Sequence, residues 1–184
     1  MLKPQRFEKN SSVCYIAALS FVAVFLICML FNYVDLKAYV DDVGKIVSYD
    51  HVFNGYQLLT LENFRSVYVS VASYLNLLTL IMSGIMVLAV AYGVLSSNVE
   101  AWTKSLIIIQ VALVFCIIFT LLCPFQLWIE VTECFGPSSP AVAAGTLKVD
   151  NLSFGFMPWV AAAASIAAFV VVQIFVKKGK FKVK

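Results

Sequence analysis

Charged residues divide this chain into four long uncharged stretches. They contain 25, 34, 25 and 26 residues, and they lie between Lys9 and Asp35, Arg65 and Glu100, Lys104 and Glu130, and Asp150 and Lys177. About 20 helical residues cross the ~30 Å hydrocarbon core of a bilayer, so each stretch is long enough for one crossing. The pattern predicts four transmembrane helices, near residues 13–33, 68–95, 105–128 and 155–176.

The residues between the first two helices follow a different pattern. Apolar Val34, Leu36, Ala38 and Val40 alternate with more polar residues, and this period of two predicts a strand with one buried face. Asp-Asp-Val-Gly at 41–44 predicts a turn, after which the next five residues can form a second strand. Asn-Gly at 54–55 is a further turn signal, of the kind that joins the two strands of a hairpin.

The loop between the third and fourth helices also contains an alternating pattern, at residues 146–152. A lone hairpin is marginally stable in water, whereas three strands with an apolar face can be stable. We therefore expect the two outer loops, residues 34–67 and 129–154, to form a small antiparallel β cap on the helix ends. The predicted fold is an all-α membrane protein, a four-transmembrane-helix bundle that carries this cap.

Composition supports a lipid environment for the whole chain. The sequence is 62% hydrophobic and 12% charged, with a mean hydropathy of +0.93, whereas about 25% of the residues in soluble domains are charged. So much apolar surface does not fit inside one soluble core. Residues 1–184 are therefore expected to form a single integral membrane domain.

Basic residues are distributed unevenly between the two ends of the predicted helices. Nine Lys and Arg residues flank the helices on the side of the two termini, against four on the opposite side. Because cytoplasmic segments are enriched in Lys and Arg, both termini are predicted to be cytoplasmic and the β cap to face outward. The short loops favour a bacterial cytoplasmic membrane. Lys180 and Lys182 also match the K-x-K-x-x signal that retrieves proteins to the endoplasmic reticulum membrane, which is the alternative localisation.

Motifs that carry chemistry are sparse. The sequence contains no C-x-x-C, no G-x-S-x-G and no Gly-rich phosphate loop, and His51 is its only histidine. We therefore expect no catalytic residue, no metal site, no cofactor and no binding of nucleic acid, and the protein is not expected to be an enzyme. Cys123 and Cys134, both near the outer end of the third helix, are candidates for a disulfide.

The predicted helices contain weakly polar and small residues at regular spacings. Asn76, Thr79 and Ser83 share one face of the second helix, where they either form interhelical hydrogen bonds or line a pore. Small residues four positions apart predict close helix packing, within one molecule or between subunits. These seam residues are Ala89, Gly93, Ala161, Ser165, Ala164 and Ala168.

The predicted layout resembles that of the claudin family. Both have four helices, cytoplasmic termini and a first outer loop with strands. Claudins carry a Trp and a pair of Cys residues in that loop, and residues 34–67 of this chain contain neither. The resemblance is therefore one of layout and implies no function.

Two functions fit these predictions. The first is a non-enzymatic polytopic membrane protein, an accessory or assembly subunit or a partner-docking surface protein, that acts through its outer β cap. Its expected partners, besides the lipid bilayer, are another membrane protein or further copies of itself as a homo-oligomer. The candidate contact residues are Phe53, Asn54, Gly55 and Tyr56, although both aromatic rings could instead pack against the helices. The alternative is a homo-oligomeric channel or pore, lined by the polar residues of the second helix.

Overall fold

A computed structural model describes residues 4–42, 45–57, 59, 70–96 and 98–179, with side chains described for residues 10–39, 53–57, 59, 71–96 and 98–177. Five helices and three strands lie in these residues. In chain order they are α1 (Pro4–Cys28), β1 (Asn32–Asp42), β2 (Lys45–Asn54), α2 (Ser70–Leu95), α3 (Val99–Phe135), α4 (Pro140–Ala143), β3 (Leu147–Phe154) and α5 (Met157–Gly179).

Four of the described helices, α1, α2, α3 and α5, are long and apolar enough to cross a membrane. The candidate spans are Asn10–Cys28, Val71–Leu95, Val99–Ala143 and Met157–Lys177, and the third takes in α4 as well as α3. The prediction of four long apolar helices is therefore confirmed, and these helices indicate a membrane protein.

Two helices differ most from their predicted bounds: α1, predicted at 13–33, spans Pro4–Cys28, and the longest helix, α3, extends beyond its predicted range at both ends. The sequence predicted a helix at 105–128, whereas α3 has 37 residues, or ~55 Å at a rise of ~1.5 Å per residue. The helix includes charged residues at its start, where Lys104 Nζ lies 2.7 Å from a carboxylate oxygen of Glu100 one turn earlier. At its other end it continues through Glu130, which the sequence had assigned to the second outer loop. The charged residues Lys104 and Glu130 bound the uncharged stretch from which the helix was predicted, but the helix continues past both of them.

The three strands form one antiparallel sheet in the order β2-β1-β3. β1 pairs with β2 from the same loop and with β3 from the second loop. The predicted small antiparallel sheet, built from both loops, is therefore confirmed. The third strand gives β1 a partner on each side, as a stable small sheet requires.

A β-bulge at Tyr33 changes which residues of β1 are buried. The register to β2 shifts between Asn32 and Val34, so Tyr33 is an extra residue in β1. A bulge interrupts the strict alternation of side chains, and both Tyr33 and Val34 are accordingly buried, each 1% exposed. Leu36 and Ala38 continue the buried face. The structure therefore confirms the predicted buried face of this strand, and the bulge adds the large side chain of Tyr33 to it.

A second bulge lies in β3, which is an edge strand of the described sheet. The register to β1 shifts between Lys37 and Ala38, and Asp150 is the extra residue of β3. The bulge keeps apolar residues on the packed side over the whole strand. Leu147 is buried, Val149 and Leu152 are half-buried, and Lys148, Asn151 and Ser153 are exposed.

The described chain forms two compact units. The sheet unit consists of the described residues of Ile27–Leu77 and Thr120–Val160, and the helical unit of those of Met1–Leu26, Leu78–Phe119 and Ala161–Lys184. Each of the four long helices contributes residues to both units. The core of the sheet unit joins the strands to α3, because Leu36 and Phe53 are buried together with Leu127 and Val131.

Candidate functional site

The candidate contact residues lie in a turn at the end of β2. Two side chains close this turn: the Asn54 backbone N–H donates to Gln57 Oε1 (3.0 Å), and the Gln57 N–H donates to Asn54 Oδ1 (2.9 Å). Polar side chains that bond nearby backbone groups are typical of turns. The Asn-Gly signal was predicted to join two strands. In the structure it ends β2, and the strand ends of the β1–β2 hairpin are Asp42 and Lys45.

Gly55 packs against the end of α1 and the bulged Tyr33. A Cβ atom at position 55 would lie 2.8 Å from Met29 Cα and 2.9 Å from Tyr33 Cζ, so no side chain fits here. The Tyr56 N–H donates to the Met29 carbonyl oxygen (3.3 Å). From α2, Asn76 Nδ2 donates to the Gly55 carbonyl oxygen (2.9 Å). The turn is therefore hydrogen-bonded both to the end of α1 and to α2.

This packing determines how much of the turn a partner can touch. Phe53 is 6% exposed, whereas Tyr56 is 38% exposed. Asn54 is half-buried. Phe53 thus belongs to the core of the sheet unit, and Tyr56 is the aromatic residue of the turn that offers surface to a partner.

A buried carboxylate, which the sequence did not single out, connects α3 to the start of α2. Glu130 Oε1 accepts hydrogen bonds from the Val71 backbone N–H (3.0 Å) and from Gln126 Nε2 (3.1 Å). A carboxylate is favourable at a helix N-terminus, where backbone N–H groups lack partners. Glu130 is 7% exposed, and its Oε2 has no hydrogen-bond partner among the described residues. The only sequence signal is an acidic residue one turn after Gln126, at the end of an apolar run.

The polar residues of α2 are buried inside the chain. Asn76, Thr79 and Ser83 are 2%, 1% and 2% exposed. Asn76 bonds the Gly55 carbonyl oxygen, and Ser83 Oγ has no partner in the part of the chain that the structure describes. A pore between copies would be lined by residues on the outer surface of each copy, and these three residues are not on that surface.

The seam residues on α2 pack within the helical unit. Ala89 is 4% exposed, and a Cβ atom at position 93 would lie 2.7 Å from Tyr15 Cζ and 2.7 Å from Ser105 Oγ. The Tyr15 and Ser105 hydroxyl oxygens are hydrogen-bonded at 2.6 Å. Gly93 therefore allows α1 and α3 to approach α2 closely, as small-residue packing in membranes requires.

The seam residues on α5 are also largely covered. Ala161, Ser165 and Ala168 are 2%, 0% and 6% exposed, and Ala164 is half-buried. Ser165 Oγ donates to the Ala162 carbonyl oxygen (2.7 Å). Ala164 and Ala168 also line a groove of about 260 Å³ that α5 forms with α1.

The two candidate disulfide cysteines are both free thiols. Cys123 is buried, with Sγ 3.7 Å from the Ala72 carbonyl oxygen, and Cys134 is half-buried. They lie on the same helix, eleven residues apart, which places their Cα atoms ~16 Å apart, whereas a disulfide needs less than ~7 Å. The disulfide considered from the sequence is therefore absent from this fold, because α3 runs without interruption through both positions.

The sheet presents a polar surface on the side away from its core, which we call the outward face. Its described side chains are the half-buried Asp35 and Tyr39 and the exposed Lys37, Lys148, Asn151 and Ser153. The strand register places Lys37 opposite Asn151, and Asp35 opposite Ser153. Both signs of charge, an amide and a hydroxyl therefore lie side by side on this face.

The described residues offer little to a metal ion: no three His, Cys, Asp or Glu side chains come together in a possible site. No protein-family model matches the chain, and no curated protein matches it in sequence. What the protein does must therefore be inferred from its own residues and contacts.

Proposed function

We propose that the protein is a non-enzymatic accessory or docking subunit of a membrane complex, and that the outward face of its β cap binds another membrane protein. In this proposal both termini are cytoplasmic, and the cap faces the opposite side of a bacterial cytoplasmic membrane. The endoplasmic reticulum membrane, with the cap in the lumen, is the alternative location. The observation that carries the proposal is the attachment of the turn that ends β2, which is hydrogen-bonded to Asn76 of α2 and to Met29 just after α1.

Two hydrogen bonds to α2 fix this region: the first ties the turn after β2 to α2, and the second ties α3 to the start of α2. Asn76 Nδ2 bonds the Gly55 carbonyl oxygen at 2.9 Å, and Glu130 Oε1 accepts the Val71 N–H at 3.0 Å. A connection that only links two helices needs a few residues and no such contacts. A surface that is fixed before binding loses less conformational entropy when a partner docks. The attachment therefore suits a recognition surface.

The chemistry of the outward face indicates the kind of partner. Its side chains offer charges of both signs together with neutral donors and acceptors, which match a polar protein surface rather than lipid. The segments on the predicted outer side contain eight acidic and four basic residues. An excess of negative charge accelerates association with a partner whose facing surface is positive.

The alternative, a homo-oligomeric pore, has less support. It needs Asn76, Thr79 and Ser83 to face an aqueous path between copies, but all three are buried within one molecule. Moving Asn76 into a pore would also leave the buried Gly55 carbonyl group without its hydrogen bond.

The proposal can be tested on the full-length protein, purified in a mild detergent from its native membrane. We expect a particle that contains a second protein in fixed stoichiometry. Asn151→Arg places a long charged side chain on the outward face and should release that protein. Glu100→Arg, at an exposed position on the predicted cytoplasmic side, is the matched control and should retain it. A particle that contains this chain alone, and that passes ions in liposomes, would refute the docking role and support the pore.

The orientation has a separate test. A cysteine introduced as Ser153→Cys lies at an exposed position of β3. It should react with a membrane-impermeant maleimide on intact cells, whereas a cysteine added after Lys184 should react only after lysis. The reverse pattern would place the cap in the cytoplasm.

A further inference from the structure

An apolar groove lies in the sheet unit, where α3, the end of β3 and the start of α5 come together. It encloses about 270 Å³, and none of the described residues that line it is charged. Five aromatic residues line it, namely the buried Tyr33 and, nearer the surface, Phe125, Trp128, Phe154 and Trp159. The last four remain 55%, 55%, 37% and 45% exposed, so no other described residue covers them.

The shape of the groove is defined by contacts between its own residues. Phe125 and Trp159 meet edge to face, with ring centroids 5.0 Å apart and an interplanar angle of 87°. This is a favourable arrangement for two aromatic rings. Leu127, which also lines the groove, is buried in the core of the sheet unit. The groove is therefore preformed and does not need a ligand to open it.

The groove lies along the candidate membrane spans. Phe125 and Trp128 belong to the span on α3, and Trp159 to the span on α5. Phe154 is the last residue of β3, so the groove begins where the span meets the sheet. Tryptophan is enriched at such membrane boundaries. In a bilayer that these candidate spans cross, the medium next to these side chains is lipid, and a lipid tail is the most abundant apolar ligand there.

We propose that this groove binds one acyl chain of a membrane phospholipid. An acyl chain has no hydrogen-bonding groups, and it makes many dispersion contacts with aromatic faces. Apart from the Tyr33 hydroxyl and the indole N–H groups, the side chains of this lining are apolar, so most donors and acceptors of a polar ligand would be left without partners. The inference goes beyond the docking function, because it concerns the span side of the sheet unit and not the outward face.

Fluorescence quenching by brominated phosphatidylcholine can test the proposal on full-length protein in detergent micelles. The variant Trp102→Phe keeps only the two tryptophans of the groove, and Trp128→Phe with Trp159→Phe keeps only Trp102. We expect quenching of the groove tryptophans to saturate at about one lipid per protein, and Trp102 to show no saturable quenching. Phe125→Ala in the Trp102→Phe background should weaken binding at least fivefold.

The control for the wall variant is Phe115→Ala, which removes an exposed phenylalanine from the same helix outside the groove. It should leave the titration unchanged. Phe154→Ala provides a second wall variant in case Phe125→Ala alters the fold, which its thermal unfolding would reveal. Quenching that rises without saturation would mean that the brominated lipid only partitions into the micelle. Equal quenching at Trp102 would mean the same, and either result would overturn the proposal. A dimer that dissociates in Phe125→Ala would assign the groove to a second copy and would also overturn it.

Discussion

Replacing Asn76 by alanine removes the amide group that donates to the Gly55 carbonyl oxygen. Two magnitudes bear on the cost. Side-chain hydrogen bonds in membrane proteins contribute about 0.6 kcal/mol on average and about 1.7 kcal/mol at most. A buried carbonyl group left without any partner costs more, about 1–3 kcal/mol. Asn76 is 2% exposed and Gly55 is buried, so water cannot replace the amide, and the larger cost applies.

We therefore expect Asn76→Ala to lower the free energy of unfolding by about 1–3 kcal/mol. The measurement is reversible unfolding by dodecyl sulfate in mixed micelles. Asn76→Leu keeps the same number and branching of side-chain heavy atoms without a donor, so it should remain destabilising if the carbonyl group is the cause. Asn151→Ala makes the same change at an exposed position of β3 and should have little effect.

A local measurement distinguishes this reasoning from a general loss of stability. The Tyr56 N–H bonds the Met29 carbonyl oxygen in the same turn, so its hydrogen exchange reports the opening of that turn. A loss of about 1.4 kcal/mol should accelerate this exchange about tenfold. If Asn76→Ala leaves both the unfolding free energy and the Tyr56 exchange rate unchanged, the hydrogen bond has no structural role. If the same variant instead alters ion flux in liposomes, the pore alternative gains support.

Three further predictions follow from the buried contacts. Glu130→Ala removes the acceptor for the N-terminus of α2 and should lower the unfolding free energy by about 1–3 kcal/mol. Glu130→Gln keeps an oxygen acceptor and should cost less. Equal stability of the wild type and both variants would contradict this. Burial raises the pKa of Tyr33 above its ordinary value. The contribution of Tyr33 to the free energy of unfolding is therefore constant below pH ~10. Above that value only the unfolded state ionises, so the contribution falls by ~1.4 kcal/mol per pH unit. Alkaline unfolding curves of the wild type and Tyr33→Phe should therefore differ in slope above pH ~10 and not below it. Gly93→Ala should destabilise by about 1–3 kcal/mol, because the added Cβ meets the Tyr15 hydroxyl. At Gly84 an added Cβ would meet no described atom within 4 Å beyond its chain neighbours and the backbone of its own helix, so Gly84→Ala should be neutral or stabilising. The opposite order in thermal unfolding would contradict the packing at Gly93.

The alternation and the apolar runs were sufficient to predict the strands and the long helices. Local pattern could not reveal the features that position the candidate site, because each depends on a distant part of the chain. The bulge at Tyr33 exists only in the register between β1 and β2. Gly55 is buried because the end of α1 and Tyr33 lie against it. Glu130 caps the N-terminus of α2 because α3 extends past its predicted end and reaches the start of α2.

The bulge at Asp150 has a consequence for a protein confined to a bilayer. All copies in one membrane share an orientation, so the open edges of their β3 strands would move in one thin layer, at a high effective concentration. A regular edge strand there could recruit the next molecule, and sheets would grow sideways along the membrane. The extra residue interrupts the ladder of backbone donors and acceptors and adds a carboxylate that repels its counterpart on a neighbour. Crowding in the membrane plane should therefore not lead to polymerisation through this edge.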